Sequence, residues 1–153
     1  MSNIVFNIGK GRVVEYYNRV KGDDPSASAL ILVPIETSGL ESDATLIDKD
    51  DLAAVLSGTT NEQTTMGRKT LTQAELSALP APDDANDRYD VSLPTVTWTA
   101  ATGNAISKIL VCYDSDTGAG TDSNIIPLTM FDFAITPDGS DVQMTTGVFF
   151  RAS

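Results

Sequence analysis

The strongest β signal lies in residues 89–153, which read YDVSLPTVTWTAATGNAISKILVCYDSDTGAGTDSNIIPLTMFDFAITPDGSDVQMTTGVFFRAS. This stretch contains β-type runs over 91–100, 106–113, 125–135 and 142–151. Each run is bounded by Gly, Pro, Asp, Asn or Ser clusters of the kind that end strands. We therefore expect an antiparallel β core in the C-terminal half, built as a sandwich or a barrel-like sheet.

The first and last of these runs carry the clearest local signals. Apolar and polar residues alternate around Trp98, which predicts one buried face anchored by this side chain; a surface-binding Trp is the alternative. Pro137-Asp138-Gly139-Ser140 has the composition of a tight turn. The sequence therefore predicts a hairpin between 125–135 and 142–151.

A helix is predicted over residues 9–21. Val13, Tyr16, Tyr17 and Val20 are spaced at i, i+3, i+4 and i+7, which places them on one helical face. We expect both tyrosines to pack in the core, and a binding platform is the alternative for them.

The rest of the N-terminal half predicts one buried strand, a brief strand pairing over 68–71 and further short helices. Residues 29–35 form a continuous apolar run, typical of a strand covered on both faces. We expect a polar loop over 37–49, a helix over 48–57 and another helical turn after the capping-box pattern Thr72-Gln73-Ala74-Glu75. The predicted fold class is α+β, predominantly antiparallel β, with two or three short helices in the N-terminal half.

We expect residues 1–153 to form a single domain, because neither half is large enough to bury a full core alone. The predicted organisation is 1–11 as a candidate N-terminal arm, 12–79 as helices plus one buried strand, 80–88 as a surface loop and 89–153 as the antiparallel β core. The polar segment 59–67 is expected to be exposed.

Charge limits the partners that the chain can have. It carries 10 basic and 21 acidic residues, a net charge of −11. Such a balance repels phosphate backbones and anionic lipid surfaces, so neither nucleic acid nor membrane is expected as a partner. An acidic surface serves solubility, or it keeps many copies apart when they are displayed together. The N-terminus has no signal-peptide pattern, and we expect synthesis in the cytosol and retention there unless something else carries the protein out.

Catalytic chemistry has little support in the composition. The chain has no His, which removes imidazole bases and the usual catalytic zinc sites. Cys112 is the only cysteine, and its apolar neighbours predict a buried side chain with no disulfide and no reactive thiol. We expect no enzyme activity, no catalytic residues and no cofactor.

The acidic stretch 114–124 is the one candidate metal site. Asp114, Asp116 and Asp122 supply oxygen ligands of the type that Ca²⁺ accepts. The spacing fails the EF-hand pattern, however, because Gly118 and Ala119 stand at its fifth and sixth positions. We therefore expect a flexible hairpin loop without bound metal. The acidic residues at 48, 50 and 51 are likewise interpreted as helix caps and dipole partners.

Several segments, spread over almost the whole chain, are together similar to a family of tailed-bacteriophage virion proteins. These segments are Gly11-Arg12-Val13, Tyr17-Asn18-Arg19-Val20-Lys21, Ala29-Leu30-Ile31-Leu32-Val33-Pro34, Arg68-Lys69-Thr70-Leu71-Thr72, Leu79-Pro80-Ala81-Pro82-Asp83-Asp84, Arg88-Tyr89-Asp90-Val91, Leu110-Val111-Cys112-Tyr113-Asp114-Ser115-Asp116 and Gly147-Val148-Phe149-Phe150-Arg151-Ala152. None of them is a functional motif, so the resemblance transfers no active-site residue.

The resemblance implies a structural protein of the virion, and head decoration is the favoured assignment. A decoration protein binds the major capsid protein on the outer shell, often as a symmetric oligomer, and we favour a trimer. Candidate contact elements are residues 1–11, 59–67 and 80–87. The candidate interface side chains are Ile4, Phe6, Ile8, Tyr16 and Tyr17.

Two other functions stay open at this point. One is a tail, head-tail connector or fibre component, with the loop 114–124 and exposed tyrosines at its tip. The other is a metal-dependent hydrolase that uses Asp114, Asp116 and Asp122, although no paired general base supports it.

Overall fold

A computed structural model describes residues 3–153. Nine strands, four α-helices and two short 3-10 helices (Asn7–Gly9 and Asp122–Asn124) make up the regular structure of this part of the chain. The strands are β1 (Ile4–Val5), β2 (Ala29–Glu36), β3 (Lys69–Leu71), β4 (Tyr89–Leu93), β5 (Val96–Trp98), β6 (Ile106–Asp114), β7 (Ile126–Ile135), β8 (Val142–Met144) and β9 (Gly147–Ala152). The helices are α1 (Val13–Lys21), α2 (Asp43–Leu46), α3 (Leu52–Val55) and α4 (Gln73–Leu76). The predicted α+β class with mostly antiparallel strands is confirmed.

The centre of the fold is a five-stranded antiparallel sheet in the order β1-β7-β6-β2-β3. Both faces of this sheet are covered, so β2 is buried along almost its whole length. Leu30 and Leu32 pack on one side, while Ile31 and Val33 pack on the other. This two-sided burial explains the continuous apolar run from which the strand was predicted.

The first and last runs of the C-terminal half pair with each other. β4 pairs with β9 and β5 pairs with β8, which gives a two-stranded antiparallel ribbon interrupted at Pro94 and at Thr145-Thr146. Proline lacks the amide hydrogen that a ladder needs, so the first run is divided in two. Thr146 bridges the interruption, since its hydroxyl donates to Leu93 O at 2.8 Å and its amide donates to Thr95 Oγ1 at 3.1 Å.

The predicted hairpin between 125–135 and 142–151 is therefore wrong. β7 pairs with β1 and β6 inside the central sheet, whereas β8 and β9 pair with the ribbon partners. The hairpin that does form is β6–β7, closed by the acidic loop.

Two hydrophobic clusters lie on the two sides of the central sheet. The larger one joins the sheet to α1 and to the ribbon, with Tyr17, Trp98 and Leu128 among its buried members. The second joins the opposite face to α2, α3 and the N-terminal segment, with Phe6 and Cys112 among its members. Trp98 is buried as predicted, and its indole donates to Gly67 O at 2.9 Å.

Two features of the predicted architecture need correction. The sheet of residues 3–153 is open, because its outer strands β1 and β3 do not pair, so the barrel-like alternative is wrong. The β core is also not confined to residues 89–153, since β1, β2 and β3 come from the N-terminal half.

The three predicted helices form, with one addition, but α1 begins at Val13 rather than at residue 9, and α3 covers only Leu52–Val55 of the predicted 48–57. Thr72 and Glu75 form the capping box at α4, and Asp51 caps α3 by accepting from Ala54 N at 2.7 Å. The additional helix is α2, which lies inside the predicted polar loop 37–49. The side chain of Ser42 caps the N-terminus of α2, and Leu46 is the residue of α2 that is buried in the core.

The N-terminal segment is packed, which corrects the expectation of an arm over 1–11. β1 pairs with β7, Phe6 is fully buried and Phe6 N donates to Leu128 O at 3.0 Å. Gly9 lies against the β7 backbone, where an added Cβ would come 3.0 Å from Leu128 O. Residues 1 and 2 of the expected arm lie outside the described residues.

The segment 59–67 is held in the fold rather than exposed throughout. Thr60 and Gln63 are each 1% exposed. The Gln63 amide donates to Asn104 O at 2.9 Å and its carbonyl accepts from Thr65 N at 2.8 Å, while Thr60 bonds to Glu41. Because buried polar groups of this kind fix a loop, this segment is a poorer contact candidate than its composition suggested. Residues 80–88, in contrast, are mostly exposed.

Candidate interaction surface

The three carboxylates of the acidic loop (residues 114–124) all accept hydrogen bonds from other groups of the same chain. Asp114 and Asp116 each accept a backbone amide two residues further on, from Asp116 N and Gly118 N, both at 3.0 Å. Asp122 binds Arg68 instead, with Nη1–Oδ1 and Nη2–Oδ2 distances of 2.6 and 2.9 Å. Within residues 3–153, no group of three His, Cys, Asp or Glu side chains is placed to hold a metal ion.

Arg68 fastens two polar loops to the edge of the sheet. Besides Asp122, its guanidinium binds Glu62 in a second two-pronged contact, with distances of 2.8 and 2.6 Å. The bond from Arg68 keeps the pKa of Asp122 below its ordinary value, and the two carboxylates raise the pKa of Arg68. Arg68 thereby connects the acidic loop to the segment 59–67. The Asp122 end of the loop is held in place, whereas the sequence predicted a flexible loop.

Replacement of Arg68 by Gln should destabilise the protein by about 1 to 3 kcal/mol at neutral pH, because charged hydrogen bonds are lost. A carboxyl with a depressed pKa in the folded state stabilises the fold above its unfolded pKa, and that contribution is lost as the pH falls through the folded value. The difference in free energy of unfolding between Arg68→Gln and the parent should therefore shrink as urea titrations are run at successively lower pH below about 4.

The matched control is Arg19→Gln. Arg19 pairs with Glu15 on the exposed side of α1, and we expect little change in stability there. The role given to Asp122 would be contradicted if the difference in free energy of unfolding between Arg68→Gln and the parent stayed constant at all pH values below about 4.

The candidate interface side chains are divided by their burial. Phe6 and Tyr17 are fully buried, so neither is available to a partner in this conformation. Burial is also the main reason that the pKa of Tyr17 rises to about 12. Ile4 and Ile8 are half-buried against the second hydrophobic cluster. Tyr16 is half-buried and stacks on Tyr113 with ring centroids 4.3 Å apart.

A surface groove lies where the ribbon passes over β7. Its volume is about 180 Å³, and Phe131, Met144, Val148 and Phe149 supply most of its apolar lining. Asn3, Asp132 and Thr145 add polar groups around it. We call this feature the ribbon groove.

A β-bulge shapes the ribbon groove. Val91 pairs with Phe150 and Ser92 pairs with Val148, so Phe149 is an extra residue in β9. Bulges of this kind redirect side chains. Phe149 packs near Tyr17 with ring centroids 6.2 Å apart, while Val148 is 50% exposed, the most exposed large hydrophobic side chain of residues 3–153.

Sequence reasoning missed both Val148 and a second feature, the buried Lys108. The run 147–152 looked like a closing core strand, and only its pairing across the ribbon shows which side chains face water. Lys108 stands in a strand that is buried at every position, and its charge was the available signal that a carboxylate should lie nearby.

No protein-family model, curated protein or solved structure matches this chain. Within residues 3–153, every helix is too short or too polar to cross a bilayer.

Proposed function

We propose that the chain is a structural protein of a tailed-bacteriophage particle and that it decorates the outer surface of the head. The resemblance of its segments to such virion proteins supports this role. The ribbon groove also supports this role, because it presents an exposed valine beside half-buried aromatic side chains. The proposed partner is the major capsid protein, with the chain acting as a homo-oligomer, a trimer being favoured.

The ribbon groove is the observation that carries the proposal. A contiguous apolar patch on a well-packed scaffold marks a contact site, and here Val148 adjoins the half-buried Phe131 and Phe149 in the lining of the groove. A net charge of −11 further favours a capsid site whose rim is basic. In this role the protein stabilises the shell by binding the assembled subunits in preference to the separated ones.

Val148→Asp should weaken binding to capsid shells by about 2 kcal/mol or more, because it would bury an unpaired charge in the contact. The stability of the isolated protein should change by only about 0.5 kcal/mol, since Val148 is half-exposed. Binding is measured by co-sedimentation with shells from which this protein has been stripped. Ala53→Asp adds the same charge on α3, on the other side of the sheet, and should bind like the parent.

Equal binding of Val148→Asp and the parent would remove the ribbon groove as the contact surface. Failure of the parent itself to bind stripped shells would count against decoration as the function.

A tail, connector or fibre component is the second candidate, supported by the exposed acidic loop that projects between β6 and β7. The copy number in purified particles separates the two. Decoration requires a number comparable with that of the major capsid protein, and a few copies per particle would favour the tail. A metal-dependent hydrolase has less support, since Asp122 is held by Arg68.

A further inference from the structure

Lys108 is a fully buried amine between two carboxyl groups. Its side chain is 0% exposed. Nζ lies 3.1 Å from Asp132 Oδ1 and 3.2 Å from Asp43 Oδ1. Three separate elements contribute these side chains, since Lys108 is on β6, Asp132 on β7 and Asp43 at the start of α2. The tertiary fold therefore brings the three side chains together, and the cluster is not a contact between neighbours on one element.

The sheet fixes the amine and one carboxyl group relative to each other. Lys108 and Asp132 are paired residues in the β6–β7 ladder, and the ladder continues on one side through Ile109 and Phe131. Nζ contacts the Asp132 carboxyl group at Oδ1, and two reactive groups held together in a rigid frame can reach an effective concentration of about 10⁵ to 10⁸ M. An amine and a carboxyl group held in this way can condense, although the same groups free in water would not.

We propose that Lys108 and Asp132 form an intramolecular isopeptide bond, with Asp43 relaying the proton. Lys108 passes one ammonium proton to Asp43 and attacks Asp132 Cγ as a neutral amine. The new N–C bond forms and one C–O bond of the carboxyl group breaks. Of the three ammonium protons, one stays on the amide nitrogen and two leave with the released oxygen as water. No oxidant, reductant or other reactant is needed.

The local environment suits this reaction. A charged amine loses much more favourable hydration on full burial than does the neutral amide that replaces the ion pair. The Asp132 and Asp43 side chains are 41% and 29% exposed, so the released water has a path to solvent. The bond would join β6 to β7 covalently near the end of the hairpin that lies opposite the acidic loop, and it would restrict the unfolded chain.

The mass of the intact, denatured protein tests the proposal without any substitution. We expect a product lighter by one water molecule than the mass calculated from the sequence. Peptide mapping should then recover a branched peptide that contains both Lys108 and Asp132. A full calculated mass after prolonged incubation of the folded protein would overturn the proposal. So would a lost water that maps to Asp138-Gly139, where a cyclic imide could form instead.

Three variants assign the roles. Lys108→Arg keeps a positive charge but should show the full mass. Lys69→Arg should still lose water, because Lys69 lies over the Trp98 ring, 5.9 Å from its centroid. Asp43→Asn should slow the reaction about 100-fold, as expected when a proton relay is lost. An unchanged rate for Asp43→Asn would remove Asp43 from the mechanism, and a link from Lys108 to Asp43 would overturn the assignment of Asp132.

Discussion

Trp98→Ala should lower the free energy of unfolding by about 3 to 5 kcal/mol, the range for removing a large buried aromatic side chain. Trp98 is 2% exposed and connects the ribbon to the segment around Gly67. Its ring also lies 6.5 Å from that of Phe133 on β7, so the substitution removes packing between the ribbon and the sheet. Urea unfolding followed by far-ultraviolet circular dichroism measures the change.

Trp98→Phe is the matched control. It keeps most of the apolar volume and removes the bond to Gly67 O, and we expect a loss of about 1 to 3 kcal/mol. If Trp98 served instead as an exposed binding residue, Trp98→Ala would change stability by only about 0.5 kcal/mol. That outcome would contradict the packing of the ribbon on the sheet.

Gly39→Ala should cost about 2 to 4 kcal/mol, because two unfavourable effects act at the same position. Gly39 has a φ of +82°, in the left-handed region that side chains rarely adopt. An added Cβ would also lie only 2.2 Å from Thr59 O, a backbone atom that cannot rotate away. The substitution should push apart the two loops that Thr59 joins through its bond to Gly39 O.

Gly139→Ala separates these two effects. Gly139 has a φ of +93°, but no atom lies within 4 Å of the added Cβ. Only the conformational cost of about 1 to 2 kcal/mol should therefore remain. Equal losses of unfolding free energy for the two variants, measured by the same urea titration, would show that the close approach of the two loops at Gly39 does not contribute to the cost of Gly39→Ala.

The parts of the fold that follow local rules could be predicted from the sequence. The helix α1 follows from apolar spacing, α4 from the Thr72 capping box and β2 from its unbroken apolar run. Each signal lies within about ten residues of the element that it specifies, so no knowledge of the tertiary pairing is needed.

Strand pairing could not be predicted in the same way. The turn at residues 137–140 favoured a hairpin, but Val142 pairs with Trp98, more than forty residues earlier. The β strands that lie beside each other are chosen by which faces can be buried together, and that choice depends on the whole sheet. The short helix α2 was missed for a related reason, since Leu46 is buried only by tertiary packing.

The candidate site was predicted less well than the fold. Phe6 and Tyr17 were interface candidates, but apolar side chains are equally suited to a core, and both are buried there. Val148 was not singled out because an extra residue in β9 decides which side chains of 147–152 face outward. A bulge of this kind leaves no mark in the alternation of a short strand.

Imaging of the virion by electron cryomicroscopy, with and without this protein, tests the proposed function most directly. Head decoration predicts regularly repeated density on the outer face of the head that disappears when the gene is deleted. It also predicts that the ribbon groove around Val148 faces the shell when the structure is fitted to that density. Difference density confined to the tail, or a head surface unchanged by the deletion, would contradict it.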